Sequence, residues 1–112
     1  MEHPKFSVVV PVYNEEETLP ELYRRLTDVM EGLGQAYELI FVNDGSSDAT
    51  HDHLQALQAE DPRICLLDLA RNFGHQAAVT AGIDHAAGQA VIIIDGDLQD
   101  PPEVIPDLVA RW

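Results

Sequence analysis

Asp95 and Asp97 stand one residue apart in the stretch Val91-Ile92-Ile93-Ile94-Asp95-Gly96-Asp97-Leu98-Gln99-Asp100-Pro101-Pro102-Glu103. An apolar run leads directly into two carboxylates flanking a glycine, and like charges this close repel unless a cation lies between them. Hard divalent cations, Mg²⁺ or Mn²⁺, take such oxygen ligands, commonly with phosphate oxygens completing the shell. Gly96 would let a ligand approach the backbone closely, and Gln99 offers a further neutral oxygen. A simple turn with one capping aspartate explains Asp95 or Asp97 but not both. The expected chemistry is the handling of a phosphorylated small molecule.

Three other polar clusters invite a ligand. In Asp44-Gly45-Ser46-Ser47-Asp48, Asp44 at a strand end suits a ribose or base edge, and Asp48 suits a helix cap; the plain alternative is a strand-to-helix turn. In Pro11-Val12-Tyr13-Asn14-Glu15, Tyr13 could stack on a base or pack as an edge aromatic, and Glu15 could accept from a base or ribose. In Arg71-Asn72-Phe73-Gly74-His75, a cation and a glycine precede a helix start, a place that suits an anion. Its plain alternative is a satisfied loop with Phe73 anchored in the core. Neither a G-x-G-x-x-G fingerprint nor a P-loop occurs. His3, His51, His53 and His85 read as solvated or packed, and no zinc-type spacing is present.

These clusters need a scaffold, and the apolar pattern supplies one. Phe6–Val12, Tyr37–Val42, Arg63–Leu67 and Ala90–Ile94 read as strands, apolar almost throughout as in a parallel sheet covered on both faces. Between them lie four helical stretches. The first is capped by a Thr18-x-x-Glu21 box with Pro20 in its first turn and ends at Gly32 and Gly34. The second runs from Ala49 to about Glu60 behind Asp48, with Leu54 and Leu57 facing inward. The third covers His75–Ala87 before Gly88, and the last begins at Pro102. The order β-α-β-α-β-α-β-α predicts an α/β fold: a mostly parallel sheet with helices on both faces. Ligands of such sheets sit outside the carboxyl ends of the strands, and every polar cluster named above falls at one of those ends.

Composition bounds the reading. The 112 residues hold 6 basic and 20 acidic side chains, a net charge of −14, which argues against nucleic acid and anionic lipid as partners. Cys65 is the single cysteine; it sits in an apolar run, suits a reducing compartment and reads as a buried structural thiol. No apolar run approaches the ~18 residues that would span a bilayer. The expectation is one domain over residues 1–112, cut before an acceptor-side half. Its open sheet edge at the fourth strand could promote homo-oligomers.

Taken together, these residues resemble glycosyltransferase family 2, whose members share the GT-A nucleotide-sugar fold. Val8 to Glu15 looks like the family's opening strand, Val42 to Asp48 like its second nucleotide-contacting element, and Asp95-Gly96-Asp97 like its metal-binding D-x-D. The departure is Asn43, where many members have another Asp; Asp44 is retained. Arg71 to Ala78 and Asp97 to Glu103 look like the branch acting on polyprenyl phosphates, with dolichyl-phosphate mannose synthases and undecaprenyl-phosphate glycosyltransferases.

The resemblance implies a nucleotide-sugar site of Pro11, Tyr13, Glu15, Asp44, Ser46, Arg71, Gly74, Asp95 and Gly96. It implies Mg²⁺ or Mn²⁺ on Asp95, Asp97 and Gln99. The implied reaction is an inverting transfer of sugar from a UDP-sugar, in preference to a GDP-sugar, to a polyprenyl phosphate in cell-envelope glycan synthesis. Acceptor-side residues and any membrane attachment would lie beyond Trp112, the fragment being cytoplasmic and the whole protein at the cytoplasmic face of the membrane. On this reading the fragment alone is inactive or weakly active. The alternative is a non-catalytic module that binds a nucleotide-sugar or metal. A receiver domain would need its aspartate after strand three, and a D-x-D phosphatase its pair after strand one, so both fit poorly.

Overall fold

The computed structural model describes residues 3–99 and 101–112. Its elements are β1 (Phe6–Val12), α1 (Leu19–Leu33), β2 (Tyr37–Asn43), α2 (Thr50–Glu60), β3 (Ile64–Asp68), α3 (His75–His85) and β4 (Ala90–Ile93), then a 3-10 turn (Pro102–Val104) and α4 (Ile105–Arg111). The four strands form one sheet in the order β3-β2-β1-β4, and each neighbouring pair runs parallel. The alternating α/β architecture expected from the apolar runs is the one observed.

β1 lies between two partners, and all seven of its residues are buried. Its side chains alternate between two cores, as the period of a strand demands. Phe6, Val8, Val10 and Val12 join Leu39 and Phe41 under Leu19, Leu22, Leu26 and Met30 of α1, with Leu54 of α2 and Ile105 of α4 on the same side. Val9, Ile40 and Val42 face the other way, against Ala78 of α3. Small residues let α3 sit close there: a Cβ on Gly82 would lie 2.3 Å from Val9 Cγ1. Pro11 lies in this central strand with its carbonyl toward β4, where it accepts from Gly96 N–H at 3.2 Å. The paired register with β4 stops at Ile93 opposite Val9, where Pro11 has no N–H to donate to the next bond.

Two local expectations differ from what forms. The Thr18-x-x-Glu21 capping box is absent: the Thr18 hydroxyl lies 3.1 Å from the Gly96 carbonyl and 3.1 Å from Glu15 Oε2, while Glu21 pairs with Arg24. A contact with the β4 turn has displaced a local one. At the other end α1 runs through Gly32 to Leu33, and Gly34 alone makes the left-handed stop at φ 69°. Asp48 does serve the start of α2, its Oδ1 accepting from Thr50 N–H at 2.9 Å.

Candidate functional site

The strand order fixes where a ligand can enter. The chain steps from β1 to β2 to β3 in one direction, and α3 then returns it to the opposite side of β1 as β4. The strand order therefore reverses between β1 and β4, and open α/β sheets place their ligand crevice outside the carboxyl ends of the strands at such a switch point. A cleft of about 340 Å³ opens there. Pro11, Val12, Tyr13 and Glu15 line it from the end of β1, Asp44 from β2, Asn72, Gly74 and His75 from the start of α3, and Asp95, Gly96 and Asp97 from the end of β4.

Of the residues expected at the site, Pro11, Tyr13, Glu15, Asp44, Gly74, Asp95, Gly96 and Asp97 thus share one cleft. Ser46, Arg71 and Gln99 do not line it. Ser46 braces the loops instead: its Oγ accepts from Asn14 N–H at 2.9 Å, and its own N–H donates to Asn43 Oδ1 at 3.2 Å. Arg71 lays its guanidinium over the Phe73 ring, 4.6 Å from the centroid. Phe73 is itself half exposed, so the reading that anchors it in the core is corrected; its N–H is held by Asp44 Oδ1 at 2.8 Å, and its ring turns outward under Arg71. Gln99 is exposed and donates its N–H to Asp97 Oδ1 at 3.0 Å. Asp100 lies outside the described residues.

The walls of the cleft are tied to one another through backbone groups. Asn14 adopts a left-handed φ of 52°, which brings its Oδ1 to Ser47 N–H at 2.8 Å. Glu15 N–H donates to Thr50 Oγ1 at 2.9 Å, so the loops after β1 and β2 are joined at two points. Gly45, at φ 70°, touches the next loop: a Cβ there would lie 2.3 Å from Asn72 N. Asp44 is 4% exposed, and its two oxygens accept from Phe73 N–H at 2.8 Å and Gly74 N–H at 3.1 Å. A carboxylate can accept about four bonds, so this leaves capacity for a ligand. Asn72 and His75 carry no role in the sequence reading. The signal for His75 was an ionisable side chain opening a helix immediately after a glycine at a strand's carboxyl end.

The electrostatics of the cleft are one-sided. Four carboxylates line it, on Glu15, Asp44, Asp95 and Asp97, and among the described residues no Lys or Arg does. Burial pushes the Glu15 carboxyl above its usual value; the Thr18 hydroxyl opposes this, and the charges of Asp97 and Asp48 add to it. The donor set therefore fits a hard divalent cation, with Asp95 and Asp97 the residues that would hold it. Among the described residues no group of three or more His, Cys, Asp and Glu gathers to hold an ion unaided. Two carboxylates completed by substrate oxygens is the usual Mg²⁺ arrangement.

Residues 7–112 match the glycosyl transferase family 2 model. The chain belongs to that family. Curated relatives include an uncharacterized glycosyltransferase YkcC of Bacillus subtilis, 51% identical over 98% of this chain and 34% of its own length. A bactoprenol glucosyl transferase of Shigella phage SfV is 50% identical over 96% of this chain and 35% of its own length. The chain thus spans about a third of the curated relatives it matches. Among solved structures, S. aureus TarS 1–349 in complex with UDP-GlcNAc superposes with a TM-score of 0.73 at 26% identity, covering 95% of this chain and 30% of that one. The family 2 chain accordingly has the α/β sheet of the GT-A glycosyltransferases. Among its described residues no helix is long and apolar enough to cross a membrane.

Proposed function

We propose that this chain is the donor-binding portion of a metal-dependent, inverting glycosyltransferase that moves a sugar from a UDP-sugar to a polyprenyl phosphate. The observation that carries the reading is the cleft at the β1/β4 switch point, where Glu15, Asp95 and Asp97 converge with no Lys or Arg among the described lining residues. A site built for a bare phosphate would supply Lys or Arg. One rich in carboxylates requires a cation to accompany the diphosphate. The relative named a bactoprenol glucosyl transferase, half identical to this chain, supports the lipid-phosphate acceptor. The UDP-GlcNAc complex of TarS supports a UDP-sugar as donor.

In this scheme Tyr13, 47% exposed at the cleft, offers a ring for the base to stack on, and Pro11 lines the cleft beside it. Asp44 keeps the loop before α3 in place and retains lone pairs for the nucleoside. Asp95 and Asp97 would hold the cation, and the exposed Gln99 is the nearby neutral oxygen that would join them. A bound divalent cation would neutralise the diphosphate as it departs. The acceptor phosphate has a second pKa near ~6, so it is largely anionic at neutral pH and needs little help from a base. Acceptor recognition falls to residues outside this domain of 1–112, as does attachment at the cytoplasmic face of a membrane.

Calorimetric titration of UDP into the chain tests the reading. Binding in Mn²⁺ that is lost in EDTA and in Asp97→Ala is the expected result. Binding equal in Mn²⁺ and EDTA would remove the metal, and binding of GDP but not UDP would reverse the base preference.

A further inference from the structure

We propose that His75 is a positioning residue for Asp95: it holds one carboxylate oxygen so that the other is presented to the cation. The proposal rests on the metal-nucleotide reading above. His75 Nε2 lies 2.7 Å from Asp95 Oδ1. A carboxylate only accepts, so Nε2–H is the donor. The bond commits Oδ1, fixes the side-chain rotamer and leaves Oδ2 for the cation. An aspartate left to itself would sample several rotamers, and each would have to be frozen out when the ion arrives.

His75 is itself held from behind. It is the first residue of α3, and the two residues before it donate their N–H groups to Asp44, at 2.8 Å from Phe73 and 3.1 Å from Gly74. Asp44 is buried at the end of β2, where its own N–H donates to Val12 O at 2.9 Å. Gly74 makes the turn at φ 103°, a conformation that side chains other than glycine rarely take. A chain of hydrogen bonds therefore runs from β1 through Asp44 and the start of α3 to Asp95 after β4. It ends on a candidate ligand that lines the cleft.

A bland reading is available, since the His75 and Asp95 side chains are 62% and 40% exposed and exposed ion pairs add little to stability. Stability is therefore the wrong observable. Groups that hydrogen-bond a metal ligand typically change metal affinity by about 10–100-fold when removed.

The test follows Mn²⁺ binding by electron paramagnetic resonance on the full chain at fixed UDP, for wild type, His75→Ala, His75→Gln and Asp95→Ala. Thermal unfolding in EDTA runs alongside. His75→Ala should weaken Mn²⁺ binding by about tenfold or more while melting in EDTA close to wild type, as expected for so exposed a pair. His75→Gln, whose amide Nε2–H reaches the same region, should recover most of the loss. Wild-type Mn²⁺ affinity in His75→Ala, beside a loss in Asp95→Ala, would overturn the proposal. So would a glutamine variant as weak as alanine, or a weakened His75→Ala that also melts well below wild type in EDTA. Wild-type Mn²⁺ affinity in Asp95→Ala, or no Mn²⁺ binding by the wild type, would instead sink the metal reading and this proposal with it.

Discussion

Asn43 and Asp68 are register partners at the carboxyl ends of β2 and β3, and the Asn43 Nδ2–H donates to Asp68 Oδ1 at 3.0 Å. The Asn43 side chain is 4% exposed, and its Oδ1 accepts from Ser46 N–H. The amide thus needs a donor on one side and an acceptor on the other, which an aspartate cannot provide. Asn43→Asp, which restores the family's commoner residue, should therefore destabilise the protein by about 1–3 kcal/mol at neutral pH, from a lost buried bond and an opposed charge. Urea unfolding measures it. The loss should shrink near pH 3, where the introduced carboxyl protonates, and Asp68→Asn in the same chain should recover part of it.

Asp48 links two loops to the start of α2. Burial alone would raise its carboxyl, but bonds from the Thr50 hydroxyl, Thr50 N–H and Glu16 N–H outweigh that and bring it below its usual value. A depressed carboxyl contributes stability above the unfolded value, and that contribution is lost as pH falls through the folded value. Asp48→Ala should cost about 1 kcal/mol at pH 7. The gap from wild type should close in acid, below the ordinary aspartate range. Parallel unfolding curves from neutral to acid pH check the sign.

The sheet and the outline of the cleft were legible because they follow from local signals. Apolar runs such as Val8–Val10 and Ile92–Ile94 mark strands, and polar residues at their ends mark the binding edge. What was not legible depends on pairings across the chain. Asp44 bonds backbone N–H groups 29 and 30 residues away, and a backbone donor leaves no trace in residue identity. Thr18 fits the capping pattern, yet its hydroxyl is taken by the Gly96 carbonyl, 78 residues distant. Arg71 and Ser46 fit a ligand site by position. They line no part of the cleft, because one stacks on Phe73 and the other braces Asn14.

Gly45 and Gly34 share nearly the same backbone, φ 70° and 69°, but not the same surroundings. A Cβ on Gly34 meets nothing within 4 Å, whereas one on Gly45 would fall 2.3 Å from both Arg71 C and Asn72 N. Gly34→Ala should therefore cost only the left-handed penalty, about 1–2 kcal/mol. Gly45→Ala should cost more, because the loop before α3 must move as well. It should also weaken UDP binding, which Gly34→Ala should leave alone. Equal losses in the two variants would mean the two loops do not support one another.

Glu15 sits among carboxylates in the cleft, and burial followed by the charges of Asp97 and Asp48 holds its pKa above the usual range against the lowering effect of Thr18. A carboxyl raised in the folded state destabilises the protein wherever it is ionised, and the penalty disappears as pH falls through the raised value to below the unfolded one, near ~4.3. Glu15→Gln keeps an oxygen for the Thr18 hydroxyl, which lies 3.1 Å from Glu15 Oε2, but removes the charge. Without metal, this variant should melt higher than wild type at pH 7 and alike near pH 4. Mn²⁺ with UDP should narrow the difference at pH 7 by supplying the missing positive charge. A variant less stable than wild type at pH 7 would show that Glu15 is held by favourable contacts that outweigh its carboxylate neighbours.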